Sequence, residues 1–126
     1  VIGLGLDLVE VDRARQSFAR WGERLVEKLM DPPEAARLGG LAGEPALAVA
    51  YSIALKEAGS KAIGTGWSRG VRWRDVIVET APLRVRFACR AAEVAAHLGS
   101  RGETEALLEV RDGLVLAEVR LLGDRQ

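Results

Sequence analysis

Apolar and polar positions alternate strictly at the start of the chain: Ile2, Leu4, Leu6 and Leu8 interleave with Gly3, Gly5, Asp7 and Val9. This period of two predicts a strand with a continuous apolar stripe on one face and two glycines and a carboxylate on the other. Glycines inside a strand weaken it and mark close approach of a ligand or of another backbone. Asp7 therefore sits either beside vacated space or at the end of a strand on which a helix packs tightly. The segment 46–55, ALAVAYSIAL, is apolar nearly all round and predicts a helix inside the domain. It runs into KEAGSKAIGTG at 56–66, where Glu57 and Lys61 share a face at i,i+4 and Gly64 and Gly66 serve as helix stop and turn. An ordinary i,i+4 ion pair is the plainest reading of Glu57 and Lys61.

The remaining pattern predicts helices at 12–20 and 22–30, then a short helix from 32 with Asp31 as N-cap, Pro32 at its first position and Glu34 closing a capping box. The central helix is expected at 45–63, strands at 75–80 and 83–89, a helix at 90–99, and a hairpin of 105–111 and 114–122 turned by Asp112-Gly113. The class is α+β. Both faces of the final hairpin carry apolar residues: Leu114 and Leu116 on one, Val115, Ala117, Val119 and Leu121 on the other. That predicts a subunit interface.

At 126 residues the chain suits a single domain, 1–126. Lys+Arg and Asp+Glu balance at 18 each, so no global field favours nucleic acid or an anionic membrane. Cys89 and His97 are the only residues of their kinds, which excludes a disulfide framework or a Cys/His zinc site within one chain and suits a reducing, cytoplasmic compartment. Cys89 continues the phase of Leu83, Val85 and Phe87 and is expected to be a core thiol; His97 is expected at the surface near a helix end. The longest apolar run falls short of the roughly 20 residues a membrane span needs, and no signal-peptide pattern is present. The first residue is Val1 rather than methionine, which fits processing, trimming or excision from a longer polypeptide and chooses none of them.

Taken together, GLGLDLVEVDR at 3–13 and KEAGSKAIGTG at 56–66 resemble the two signature blocks of the holo-acyl-carrier-protein synthase family, the small 4′-phosphopantetheinyl transferases, in the family's order. MDPPE at 30–34 resembles the segment L-T-x-x-E between them. The resemblance implies a 4′-phosphopantetheinyl transferase-like fold, an antiparallel sheet packed on a long central helix, assembled as a homotrimer with active sites at subunit boundaries. It implies transfer of phosphopantetheine from coenzyme A to a serine of an acyl carrier protein or carrier domain, as fatty acid and polyketide biosynthesis require.

In that reaction a pyrophosphate bond breaks, so phosphate charge must be neutralised and the reacting groups held in line. The resemblance places Asp7 and Glu57 on Mg²⁺, Lys61 on the departing 3′,5′-ADP phosphate, Lys56 on phosphate as a point charge, and the turn of Gly64 and Gly66 near phosphate. No base for the serine proton is identifiable in the sequence: a metal-bound water and Glu57 are the candidates, and Asp31 is a third whose capping role already explains it. Two departures stand out. Ser52-Ile53-Ala54-Leu55 replaces the family's Arg-aromatic-Ala-Ala, and Leu108-Glu109-Val110-Arg111 replaces a Ser-x-Ser/Thr-His strand. By the resemblance the lost residues help to hold coenzyme A, and Arg111, at the histidine's position, is expected to offset part of that loss. These losses make a degenerate domain that binds carrier protein or coenzyme A without turnover the alternative, and an unrelated α+β oligomer a third reading. Arg13, Arg20 and Arg24 recur at helical spacing and either meet an acidic carrier or are solvated; Arg84, Arg86 and Arg90 form a second basic row, read first as a solvated face.

Overall fold

The computed structural model describes residues 1–124 of the chain; positions 125 and 126 of the expected domain lie outside the described residues. Strand β1 (Gly3–Glu10) leads into helices α1 (Val11–Trp21), α2 (Glu23–Leu29) and α3 (Pro32–Ala42), then the long α4 (Pro45–Ala62). A short 3-10 turn at Trp73–Asp75 precedes β2 (Val76–Thr80) and β3 (Leu83–Phe87), α5 (Cys89–His97), and the hairpin of β4 (Thr104–Arg111) and β5 (Leu114–Leu121). One antiparallel sheet has the order β1-β5-β4; β2 and β3 form a separate antiparallel pair. Helix α4 lies between them. Its apolar character follows from contact on several sides, with Val49, Ala50, Ala54, Leu55 and Ala58 all fully buried.

The burial of β1 inverts the expectation from hydrophobicity. Leu4, Leu6 and Leu8 stand exposed at 53%, 50% and 56%, and the face of Gly3, Gly5, Asp7 and Val9 packs on α4. A methyl carbon placed on Gly5 would lie 1.8 Å from the carbonyl oxygen of Ala58, and one on Gly3 would lie 2.0 Å from that of Ala62. The two backbones thus meet with no side chain between them. Bulk is supplied instead by the neighbouring strand: Gly3 pairs with Leu121, Gly5 with Val119, Asp7 with Ala117 and Val9 with Val115, and all four β5 residues are fully buried. Because a one-residue slip would turn that whole set outward, the register of β1 is fixed by its neighbour. The opposite side of α4 uses the same device, Gly59 fitting against Val76 and Val85.

Two expectations are corrected here. Asp31 caps α3 by accepting from the Glu34 amide at 3.1 Å, but the Glu34 side chain turns into the core, so the capping box is only half formed. Cys89 is exposed rather than buried. The strand phase ends at Phe87, and Cys89 opens α5 with a φ of 51°, so the period of two no longer governs its direction. His97 is exposed at the last residue of α5, as expected.

The glycine contact makes a paired prediction. Gly5→Ala is expected to destabilise the fold by at least about 1–3 kcal/mol, since the backbone it meets cannot rotate away. Gly40→Ala, in α3 with open space around it, is expected to stabilise by about 0.5–1 kcal/mol. Urea unfolding of both variants checks the contrast; a Gly5→Ala protein as stable as the parent would contradict the packing.

Candidate active site

Asp7 lies mid-strand on the α4-facing side of β1, and the register that buries β5 aims it at the outer turn of the helix. There Lys61 reaches across: its Nζ donates to Asp7 Oδ1 at 3.0 Å and to the Leu6 carbonyl at 3.1 Å. The partner of Lys61 is therefore Asp7 on the strand, not Glu57 one turn earlier on its own helix. Glu57, half-buried, makes no ion pair among the described residues. Asp7 and Glu57 line one cleft of about 330 Å³, together with Glu10, Arg13, Ser17 and Ile53. Two carboxylates and an ammonium thus meet at the seam of β1 and α4.

Lys56 does not join them. Adjacent helix residues point about 100° apart, and Lys56 falls on the inner face, 0% exposed. Its ammonium donates to Glu34 Oε1 at 3.0 Å and to the carbonyls of Trp73, at 3.1 Å, and Val76. Glu34 Oε2 lies 2.9 Å from the same nitrogen and accepts from the Val78 amide at 2.5 Å. Burial pushes the Glu34 carboxyl up and the Lys56 ammonium down, and the attraction of each for the other opposes both shifts. The expected phosphate contact of Lys56 is corrected accordingly: it is a structural cation joining α3, α4 and β2. The sequence did hold the signal. A lysine in a buried helix requires a counter-charge, and Glu34, taken for a capping residue, is that partner.

Gly64 and Gly66 adopt left-handed φ values of 80° and 54° in the turn that closes α4. The amides of this turn are used internally: Gly64 donates to the Lys61 carbonyl, and Thr65 and Gly66 both donate to that of Ser60. The turn therefore supplies shape rather than free donors for phosphate, which corrects that part of the expectation. Arg111 is also displaced from its expected role within one chain. It stands 77% exposed on the outward face of β4, paired with Glu109 at 3.0 Å, whereas Asp7 is on the inward face of the same sheet. Asp31, engaged as a cap, does not line the cleft. Of the first basic row, Arg13 lines the cleft, and Arg20, over the Trp21 ring at 4.9 Å, and Arg24 are exposed. Phe18 and Leu25 pack inward beside them. The second row is ion-paired: Arg84 and Arg86 with Glu79, Arg90 with Glu93.

The family model described as the 4′-phosphopantetheinyl transferase superfamily matches residues 3–114, which include every residue of this seam. The chain belongs to that superfamily. A holo-[acyl-carrier-protein] synthase of Nitratidesulfovibrio vulgaris is 32% identical over 113 residues, 90% of each chain. One from Maricaulis maris is 34% identical, covering 98% of this chain and 93% of that one. Among solved structures, the holo-[acyl-carrier-protein] synthase of Neisseria meningitidis superposes with a TM-score of 0.79 at 25% identity, covering 97% and 98% of the two chains. That of Helicobacter pylori, solved in complex with coenzyme A, gives 0.78 at 20% identity and 94% and 99% coverage. The α+β phosphopantetheinyl transferase fold is thus established for the chain, and the enzyme class with it.

For a divalent cation the seam offers a partial set of ligands. No cluster of three or more His, Cys, Asp or Glu side chains is present among the described residues. Two hard carboxylate oxygens from Asp7 and Glu57 suit an ion that keeps several waters and takes substrate phosphate oxygens, as Mg²⁺ does. The ammonium of Lys61 on Asp7 shows that the position attracts a cation.

Lys56→Met is expected to cost about 3–5 kcal/mol, because Glu34 would remain buried without its counter-charge. Adding Glu34→Gln, which keeps an acceptor for the Val78 amide, is expected to recover most of that. Denaturant titration of the single and double variants tests it, and a double variant no more stable than the single would show that the charges are not what binds the three elements.

Proposed function

We propose that the chain transfers 4′-phosphopantetheine from coenzyme A to a serine of an acyl carrier protein or carrier domain, with Mg²⁺ held by Asp7 and Glu57. The observation that carries this reading is that Asp7 and Glu57 line one cleft, with the Lys61 ammonium on Asp7 beside it. When bound, the ion would neutralise pyrophosphate charge. The serine oxygen forms a bond to the phosphorus bearing pantetheine, the bond from that phosphorus to the 3′,5′-ADP oxygen breaks, and Lys61 stabilises the charge left on ADP. The serine proton would pass to a water at the site or to a Glu57 oxygen that the ion does not engage. Arg13, at the cleft, with Arg20 and Arg24 beyond it on the exposed side of α1 and α2, would steer an acidic carrier toward the serine's position.

The assembly we propose is a homotrimer. Leu4, Leu6, Leu8, Leu107 and Leu116 leave the outer face of the three-stranded sheet apolar and exposed, a surface suited to a second copy. In such an assembly Arg111, on that same face, would act at a neighbouring subunit's cleft rather than its own. The cytoplasm is the proposed compartment; no single helix is long and apolar enough to cross a membrane. A second reading, a domain that binds coenzyme A or carrier without turnover, is favoured by Ser52, which stands at the family's arginine position fully buried with an unpartnered hydroxyl.

Intact-mass measurement of a panel of apo carriers, incubated with the chain, coenzyme A and Mg²⁺, decides between the readings. The phosphopantetheine adduct is expected with the parent chain and lost, by about a hundredfold or more in rate, with Asp7→Ala or Glu57→Ala while circular dichroism is unchanged. Binding of coenzyme A with no adduct on any carrier would support the second reading. For assembly, light scattering is expected to show a trimer that Leu116→Glu dissociates, since the new charge would be buried unpaired; a compact monomer at micromolar concentration would defeat it.

A further inference from the structure

Lys61 is the one cation that touches a carboxylate of the cleft by ion pair among the described residues, and it holds two oxygens at once. The Asp7 carboxylate and the Leu6 carbonyl both accept from its Nζ, at 3.0 and 3.1 Å. Asp7 is mostly buried, at 17% side-chain exposure, whereas Lys61 is about half exposed, at 48%. The lysine is thus the mobile partner and the aspartate the fixed one. A lysine ammonium is a compact point charge on a flexible four-carbon stem, so it can leave Asp7 without disturbing β1 or α4. A second cation at this carboxylate, on either oxygen, would stand close to the ammonium and be repelled by it.

Resting on the assignment of Asp7 and Glu57 to a divalent ion, we propose that Lys61 is a built-in competitor for that ion. In the metal-free chain its ammonium occupies Asp7 and keeps the mostly buried carboxylate aimed. An arriving cation must displace it, and the displaced ammonium, still tethered beside the cleft, becomes free for a phosphate. Metal loading and the release of Lys61 are then a single exchange. The lysine would be unavailable to an anion until the metal is in place, which orders the assembly of the site. Removing the lysine charge should therefore strengthen metal binding, the reverse of its expected effect on catalysis.

The probe is Mn²⁺, titrated against the chain and followed by its free-ion electron paramagnetic resonance signal without coenzyme A or carrier. Lys61→Met is expected to bind Mn²⁺ about twofold to fivefold more tightly than the parent, the range set by losing a partly exposed ion pair. Lys61→Arg, which keeps the charge and can grip a carboxylate with two donors, is expected to bind no more tightly than the parent. If Lys61→Met bound equally or more weakly while Asp7→Asn abolished binding, the metal assignment would stand and the competition would be overturned. If neither Asp7→Asn nor Glu57→Gln altered Mn²⁺ binding, or if no variant bound the ion, the metal assignment itself would fall and this proposal with it.

Discussion

The contact between β1 and α4, made by backbone without intervening side chains, is the constraint from which the site follows. Gly3 and Gly5 let the strand lie against the carbonyls of Ala58 and Ala62, closer than any residue with a Cβ would allow. At that separation an aspartate two positions after Gly5 reaches the ammonium of Lys61, and a glutamate one turn earlier on α4 opens into the same cleft. A larger residue at either glycine would hold the strand off the helix and part these groups. Catalytic groups must be placed to within a fraction of an ångström, and rigid elements in direct backbone contact meet that requirement better than loops.

The other side of α4 is held by charge. The buried Lys56 and Glu34 join α4 to α3 and to the edge of β2, where Glu34 accepts from the Val78 amide and Arg37 donates to the Val78 carbonyl at 3.0 Å. These two side chains occupy the hydrogen-bonding groups that an exposed strand edge would otherwise present. Trp73, whose carbonyl also accepts from Lys56, stacks on Trp67 at 4.0 Å, and Trp67 follows directly on the turn that ends α4. The buried pair therefore fixes the rotation of the helix about its axis. With Lys56 committed inward, Glu57 falls on the side of β1. Burial opposes the charges of both partners, so the pair contributes specificity of arrangement more than net stability.

The order of helices and strands was legible in the sequence because period, caps and turn residues are local signals. The two signature blocks, with Asp7, Glu57 and Lys61 inside them, were legible as a resemblance. What was not legible depends on distance. Hydrophobicity favours burying Leu4, Leu6 and Leu8, yet the glycine face is inward, because the helix approaches too closely for side chains and the leucines face outward from the sheet. Cys89 followed the strand phase on paper, but the chain turns into α5 there. Lys56 and Glu57 are neighbours in sequence and alike in chemistry as candidates, and only the helix rotation separates a structural cation from a cleft carboxylate. The outer-face position of Arg111 required the strand order β1-β5-β4, which no local pattern encodes.

The central claim is that the glycine-mediated contact of β1 with α4 brings Asp7 and Glu57 of one chain onto a single cation. Anomalous diffraction from crystals of the chain grown with Mn²⁺ and coenzyme A tests it most directly. The account predicts one anomalous peak in the cleft, ligated by carboxylate oxygens of both residues from the same chain, with Lys61 no longer on Asp7. A peak bound by only one of the two carboxylates, or placed outside the cleft, would contradict it.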